Sequence, residues 1–181
     1  MVQVFYAREA VSRKTEEEAH PMATRAGELA TRLEQVNEQV IAAVAGARNG
    51  DLGATCPAEG WTAAAVGAHI GGGHRGILEG LVKPIVEGRE IPPFSLADFA
   101  EGNARQAAEN AAMPQAEILA LLREHGAAAV AYVRDLSDDD LDRTMSIPVM
   151  GEQPVTTQQV IEWVLIGHVD DHLRSMRQGL G

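Results

Sequence analysis

Aliphatic residues recur at helical spacing in four segments of this sequence, and this repetition constrains the fold more than any other feature. In the first segment Leu29, Leu33 and Val40 share one face of a helix. Aromatic residues make up only 4% of the chain, which favours helices packed through small and aliphatic side chains over a β-sandwich. We therefore predict an all-α four-helix bundle. Its helices are predicted over residues 25–47, 62–82, 95–136 and 156–178.

Short polar residues mark the starts of three predicted helices. Thr62 can cap the second helix because its hydroxyl can accept a hydrogen bond from a free backbone amide. Ser95 with Asp98, and Thr156 with Gln159, have the spacing of capping boxes. These signals predict where the second, third and fourth helices begin.

Glycine and proline predict the interruptions between and within the helices. Segments 46–61 and 83–94 are predicted to be loops, and 142–155 a short hairpin-like excursion before the last helix. The third helix is predicted to be one long helix with a break at Met113–Pro114. The run Gly71–Gly73 lies inside the second helix, which predicts an irregular helix or the close approach of another backbone or a ligand.

The charge and hydropathy pattern excludes two classes of partner. The formal net charge is −11 and no stretch clusters basic with aromatic residues, so binding to nucleic acid is not expected. No apolar run approaches the ~20 residues that cross a bilayer, and the N-terminus lacks a signal peptide pattern. We expect a cytoplasmic protein that consists of one domain over 22–181. Residues 1–21, which include His20, are interpreted as an N-terminal extension that is disordered or not native.

Two histidines, His168 and His172, lie four residues apart in the last predicted helix. This spacing puts them about 40° apart on one face, along the row formed by Val160 and Val164, so that both imidazoles can reach one ion. Such pairs often arise by chance. A third histidine, His69, lies on the apolar face of the second helix. Three imidazoles with one open position suit a transition metal, whereas the alternative is a histidine cluster that completes a polar core network.

Two further residues are candidate helpers of this site. Asp171 is about 60° from His168 on the helical wheel and can orient an imidazole or act as a base; the alternative is a solvated carboxylate. Asn103, with Arg105 beside it, can reach a cavity at one end of the bundle, the alternative being a solvated or capping role. Asp170 is expected to be solvated.

The remaining histidines and the single cysteine are expected to lie outside the metal site. His74 is about 140° from His69 and is interpreted as a cavity or surface residue, and His125 as a partly exposed helix residue. One cysteine, Cys56, excludes a disulfide within the chain. An exposed, reactive Cys56 thiol is one alternative, but no partner base is visible in the sequence.

The order of these segments resembles the DinB/YfiT-like metalloenzymes, whose relatives include mycothiol-dependent maleylpyruvate isomerases and bacillithiol S-transferases. The similar segments are "GWTAAAVGAHIGGGHRGIL", "LSDDDLDRTM" and "VTTQQVIEWVLIGHVDDHLRSMR". The resemblance implies an up-down-down-up four-helix bundle, often dimeric, with a divalent ion, Zn or Ni, held by His69, His168 and His172. It also implies a small-molecule substrate and a thiol cofactor such as mycothiol. A non-enzymatic small-molecule-binding or stress-response protein is the alternative function.

Overall fold

The computed structural model describes residues 24–48, 50–150 and 153–181, and its fold is almost entirely helical. The predictions for residues 1–21 and His20 lie outside the described residues. The α-helices are α1 (Arg25–Gly46), α2 (Ala63–Ile77), α3 (Lys83–Glu87), α4 (Leu96–Glu109), α5 (Gln115–Arg134), α6 (Asp138–Asp142), α7 (Thr157–Val160) and α8 (Gly167–Leu180). The strands are β1 (Thr144–Met145) and β2 (Val155–Thr156). Within the described chain, no helix is both long and apolar enough to span a membrane.

Two π-helical segments join these helices into longer ones. Leu78–Val82 connects α2 to α3 and Ile161–Ile166 connects α7 to α8. The second bundle helix therefore continues to Glu87, so the predicted loop start at residue 83 was wrong. Pro84 has no amide hydrogen and breaks most helices. Here it sits in the first turn of α3, directly after the π turn, where an α-helical hydrogen bond is not required of it.

Side-chain contacts give the directions of the bundle helices. Gln115 at the start of α5 donates to the Val44 carbonyl near the end of α1 (2.6 Å), and Arg134 near the end of α5 pairs with Glu34 (3.0 Å). Helices α1 and α5 are therefore antiparallel.

The last helix runs parallel to α1, and α2 runs parallel to α5. On α1, Arg32 pairs with Glu162 of the π segment before α8, and Gln39, further along α1, accepts from Arg177 near the end of α8. The two helices therefore run in the same direction. In the other pair, a Cβ on Gly67 would meet Ile118, and the His125 Nδ1 donates to the Gly71 carbonyl. Since α1 and α5 are antiparallel, these contacts confirm the up-down-down-up bundle.

Helix α4 is the crossover that this connectivity requires, because parallel neighbours cannot be joined by a short loop. Residues 110–114 separate α4 from α5, so the predicted single third helix is two helices. Gln106 lies beside His69 and the Ala111 carbonyl accepts from Thr62, which places α4 along the outer side of α2. Only Ala107 of α4 is buried.

The predicted caps and the hairpin are confirmed. Thr62 and Ser95 cap α2 and α4, and Thr156 and Gln159 form a full capping box. At α4 the reciprocal bond differs, because the Asp98 carboxylate accepts from the Ser95 hydroxyl. Strands β1 and β2 pair antiparallel and form the expected excursion before the last helix.

A buried polar network lies inside the aliphatic core. His74 is fully buried and its Nε2 contacts Asn37 Oδ1 (2.9 Å), while Asn37 Nδ2 donates to the Leu122 carbonyl (3.1 Å). The prediction of His74 as a cavity or surface residue was wrong because α2 packs on both sides. Helices α4, α5 and α8 all pack against α2, and Asn37 reaches His74 from α1. Burial, with a smaller contribution from His125, lowers the pKa of His74 to about 4.

We expect this histidine to make folding pH-dependent. The unfolded chain binds a proton on His74 below about pH 6.5, whereas the folded protein resists it down to about pH 4. Stability should therefore fall as pH decreases through this window, by up to about 1.4 kcal/mol per pH unit for this residue. Urea denaturation with EDTA at pH 7, 5.5 and 4.5 should show a shallower loss for His74→Gln. An unchanged slope in that variant would contradict the assignment.

Candidate metal centre

Three histidines from two bundle helices meet beside α4. His69 on α2 and His168 and His172 on α8 place one ring nitrogen each within 4.8 Å of one another. Their ring centroids are 4.5–4.9 Å apart, and the Nε2 atoms of His69 and His168 are 2.9 Å apart. The structure thus brings together all three histidines singled out in the sequence.

Glu59 orients His172 from the loop before α2. Its carboxylate accepts from the His172 Nδ1 at 2.6 Å, and its second oxygen accepts from the buried Ser175 hydroxyl at 2.5 Å. The Ser175 hydroxyl in turn accepts from the Ala58 amide. Because a carboxylate can only accept, the His172 Nδ1 carries the proton and its Nε2 is left as a lone-pair donor.

A tight turn positions Glu59 and Trp61. The Gly60 amide donates to the Cys56 carbonyl and the Cys56 amide donates to the Trp61 carbonyl. Gly60 has φ of 71°, a left-handed conformation that glycine adopts without strain. The Trp61 ring packs edge-on against His69 and stacks over His172, with centroids 5.3 and 6.4 Å apart. The turn therefore supplies one hydrogen-bonding and one packing partner to the cluster.

The glycine run is explained by what surrounds α2, which is helical throughout this run. A Cβ on Gly71 would lie 2.9 Å from Leu121, and one on Gly72 would lie 3.3 Å from Gln106. A Cβ on Gly73 would lie 2.9 Å from the His168 ring. The predicted irregular helix was wrong. The predicted approach of another backbone is found at Gly71, next to Leu121, whereas Gly72 and Gly73 meet side chains instead.

The environment favours the neutral form of two of the three rings, His69 and His168. Burial, followed by the neighbouring histidines, lowers the pKa of His168 to about 3. The pKa of His69 is also lowered, mainly by burial and then by His172, against the opposing effect of the hydrogen bond that its Nδ1 donates to Gln106. Neutral imidazole is the form that binds metals.

The donor set fits a divalent transition metal. Tetrahedral zinc sites place nitrogen ligands about 2.0–2.1 Å from the ion, and three histidine nitrogens within 4.8 Å of one another are candidate ligands of one such ion. The Nδ1 of His69 contacts Gln106, and the Nδ1 of His172 contacts Glu59. Metal-binding histidines are commonly oriented by such a hydrogen bond from the second ring nitrogen. Among the described residues, the buried Nδ1 of His168 has no hydrogen-bond partner. Three imidazole nitrogens suit Zn or Ni among other ions.

The two predicted helper residues, Asp171 and Asn103, differ in exposure and in distance from the cluster. Asp171 is exposed and pairs with Arg174 at 2.9 Å, so it does not reach the histidines. Asp170 is exposed and Arg105 is exposed as well. Asn103 is half-buried and lines a cavity beside the cluster.

Cys56 and His125 also lie outside the cluster. Cys56 is fully buried, and burial together with the Glu59 charge raises the pKa of its thiol to about 11. This rules out the reactive thiol considered in the sequence. His125 is half-buried, as expected.

Sequence reasoning missed Glu59 and Gln106, whose side chains accept hydrogen bonds from the imidazoles of His172 and His69. Glu59 lies in a turn, where hydrophobic periodicity carries no information. Its only signal is its place two residues before Trp61. Gln106 faces α2 from the crossover helix, whose position depends on the bundle connectivity.

We expect Gly73→Ala to weaken metal binding by about tenfold, which is about 1.4 kcal/mol. The new methyl would push the His168 ring away from its two partners. Gly76→Ala, three residues along the same helix, is the matched control, since its Cβ would meet no described heavy atom within 4 Å. It should leave metal affinity unchanged and raise stability by roughly 0.5–1 kcal/mol. Calorimetric zinc titration and thermal melting test both; equal affinities would contradict the packing argument.

The fold and site define the class of protein as a helical bundle with a histidine cluster that can hold a metal. Residues 33–168 match the mycothiol maleylpyruvate isomerase N-terminal domain family. The chain belongs to this family, and the resemblance to the DinB/YfiT-like superfamily is confirmed.

Solved structures share the fold at low sequence identity. YfiT from Bacillus subtilis, described as a probable metal-dependent hydrolase with an unusual four-helix bundle topology, is 20% identical with a TM-score of 0.67. That alignment covers 96% of this chain and 90% of YfiT. The mycothiol-dependent maleylpyruvate isomerase is 19% identical with a TM-score of 0.65, over 84% of this chain and 61% of the isomerase. A search of curated proteins found no match.

Proposed function

We propose that this protein is a metal-dependent enzyme that activates a low-molecular-weight thiol or water for attack on a small molecule. The observation that carries the proposal is the convergence of three imidazoles, two of them oriented by hydrogen bonds to Glu59 and Gln106. A divalent ion held by His69, His168 and His172 would lower the pKa of a bound thiol or water towards neutrality. The relatives described as a probable metal-dependent hydrolase and a mycothiol-dependent isomerase support this class of reaction.

The residues of this chain have separate roles in the proposal. The three histidines supply the ligands, and Glu59 and Gln106 fix their ring orientation. Trp61 covers two of the rings and limits the access of bulk water. The described residues near the cluster offer no reactive thiol of their own, because the Cys56 thiol is buried and protonated at neutral pH. The nucleophile would therefore come from solution.

Two assays test the proposal on zinc- or nickel-loaded protein. Consumption of mycothiol with 1-chloro-2,4-dinitrobenzene reports thiol transfer, in which a sulfur–carbon bond forms and chloride leaves. Hydrolysis of 4-nitrophenyl acetate reports activation of water. We expect at least one rate to exceed that of EDTA-treated protein by about tenfold or more, and His168→Ala to lose the increase. Metal-loaded protein that gives neither increase would favour the non-enzymatic small-molecule-binding or stress-response alternative. A homodimer and a cytoplasmic location stay predictions.

A further inference from the structure

A cavity of about 540 Å³ adjoins the histidine cluster. Its volume is within the range of small-molecule sites, ~300–1,000 Å³. His69 and His168 form part of its lining, so a molecule inside it would lie next to the proposed ion. One wall is the glycine-rich face of α2, and the others come from α4, the segment before it, and the last helix.

The lining is apolar to an unusual degree for a site beside a metal. Its large side chains are Ile77, Leu81, Ile91, Phe94, Leu96, Phe99, Val149, Met150 and Val164. Besides the two histidines, the described lining offers polar groups only on Asn103 and Gln106, and it contains no Asp, Glu, Lys or Arg. Gln106 already contacts His69, which leaves Asn103 as the free polar contact.

Glycines of α2 and of the π-helical segment after it line one side of the cavity. Gly71 and Gly73 are required by close packing, but Gly76 and Gly80 line the cavity and a Cβ on either would meet no described heavy atom within 4 Å. Helices lose stability at glycine relative to alanine. No packing contact accounts for that loss here, whereas an open surface for a ligand does.

The cavity mouth is apolar as well. Phe94, Leu96 and Phe99 line the cavity and are also exposed, by 36%, 66% and 55%. Since α4 buries only Ala107, the fold itself does not explain these side chains. Apolar surface of this kind, next to a cavity, marks a ligand entrance.

We infer that the substrate of this cavity is an uncharged, largely apolar small molecule, an inference that rests on the proposed function. A carboxylate inside the cavity would lose its hydration without a described cationic side chain to replace it. A carboxylate bound to the ion itself would take the position that the nucleophile needs, because three protein ligands leave one open position. The net charge of −11 further disfavours anions.

A pair of fluorescent probes with one aromatic skeleton tests this inference. N-phenyl-1-naphthylamine is uncharged, and 8-anilino-1-naphthalenesulfonate adds a sulfonate. We expect the uncharged probe to bind at least about tenfold more tightly, in EDTA-treated and zinc-loaded protein alike. Equal or tighter binding of the sulfonate would overturn the inference.

Filling the cavity provides the second arm of the test. Gly76→Leu should weaken binding of the uncharged probe by about tenfold or more, with Gly80→Leu as the second variant if the first does not fold. Gly102→Leu is the control, because Gly102 is also helical, has open space at its Cβ and does not line the cavity. Unchanged probe binding in the folded cavity variants would overturn the inference. Probe binding that is lost at higher protein concentration, as the protein dimerises, would also overturn it, because the apolar surface would then be a dimer interface. Zinc titration of the same samples separates the two proposals, since either result can fail without the other.

Discussion

Replacing His168 with alanine is expected to remove most of the metal affinity of this protein. His168 contributes one of three mutually adjacent rings, and its centroid lies within 4.9 Å of both others. Substituting a residue that only hydrogen-bonds to a metal ligand lowers metal affinity by about 10–100-fold, so loss of a ligand itself should lower it by more than about 100-fold. Isothermal titration with zinc, together with metal analysis of protein purified without a histidine tag, measures the effect.

The control for this prediction is His125→Ala. It also removes a half-buried imidazole, but from α5, where the ring contacts the Gly71 carbonyl and not the cluster. Thermal melting by circular dichroism shows whether both variants fold. If His125→Ala loses as much zinc affinity as His168→Ala, the binding site has been placed wrongly.

Glu59→Gln is expected to lower metal affinity by about 10–100-fold, the range found for residues that orient a ligand. The substitution keeps the size of the side chain but removes the charge that accepts from His172 and Ser175. With a neutral amide in its place, the His172 ring becomes a weaker electron-pair donor to the metal, and the orientation of the ring is less fixed. Zinc titration measures the change in affinity.

Asp171→Asn is the matched control because it makes the same change of acid to amide next to His172 in sequence. Asp171 is exposed and pairs with Arg174, and exposed pairs of this kind contribute little. Zinc affinity should stay within about twofold of the unmodified protein. A larger loss for Asp171→Asn than for Glu59→Gln would restore the role that the sequence suggested for Asp171.

The helices and the three histidines could be predicted from sequence because both depend on local periodicity. Aliphatic spacing located the bundle helices, and the i,i+4 relation placed His168 and His172 on one face. The π turn at Ile161–Ile166 precedes both histidines, so their spacing on α8 stays regular. Capping signals located helix starts for the same local reason.

The parts that failed depend on tertiary structure. Burial of His74 follows from α2 being packed on two faces, which a helical wheel with one apolar side cannot show. Glu59 meets His172 across 113 residues, through a turn that has no periodic pattern. The continuation of the second helix through Pro84 depends on a π turn, whose sequence signal is weak.

X-ray absorption spectroscopy of zinc-loaded protein tests the central claim most directly. The account predicts about one zinc per chain, three imidazole nitrogens at roughly 2.0–2.1 Å and one exchangeable oxygen ligand such as water. The His168→Ala protein should lose that signal. Less than about 0.2 equivalents of zinc after loading, or a coordination shell with a sulfur ligand from Cys56, would contradict the assignment of His69, His168 and His172 as the metal site.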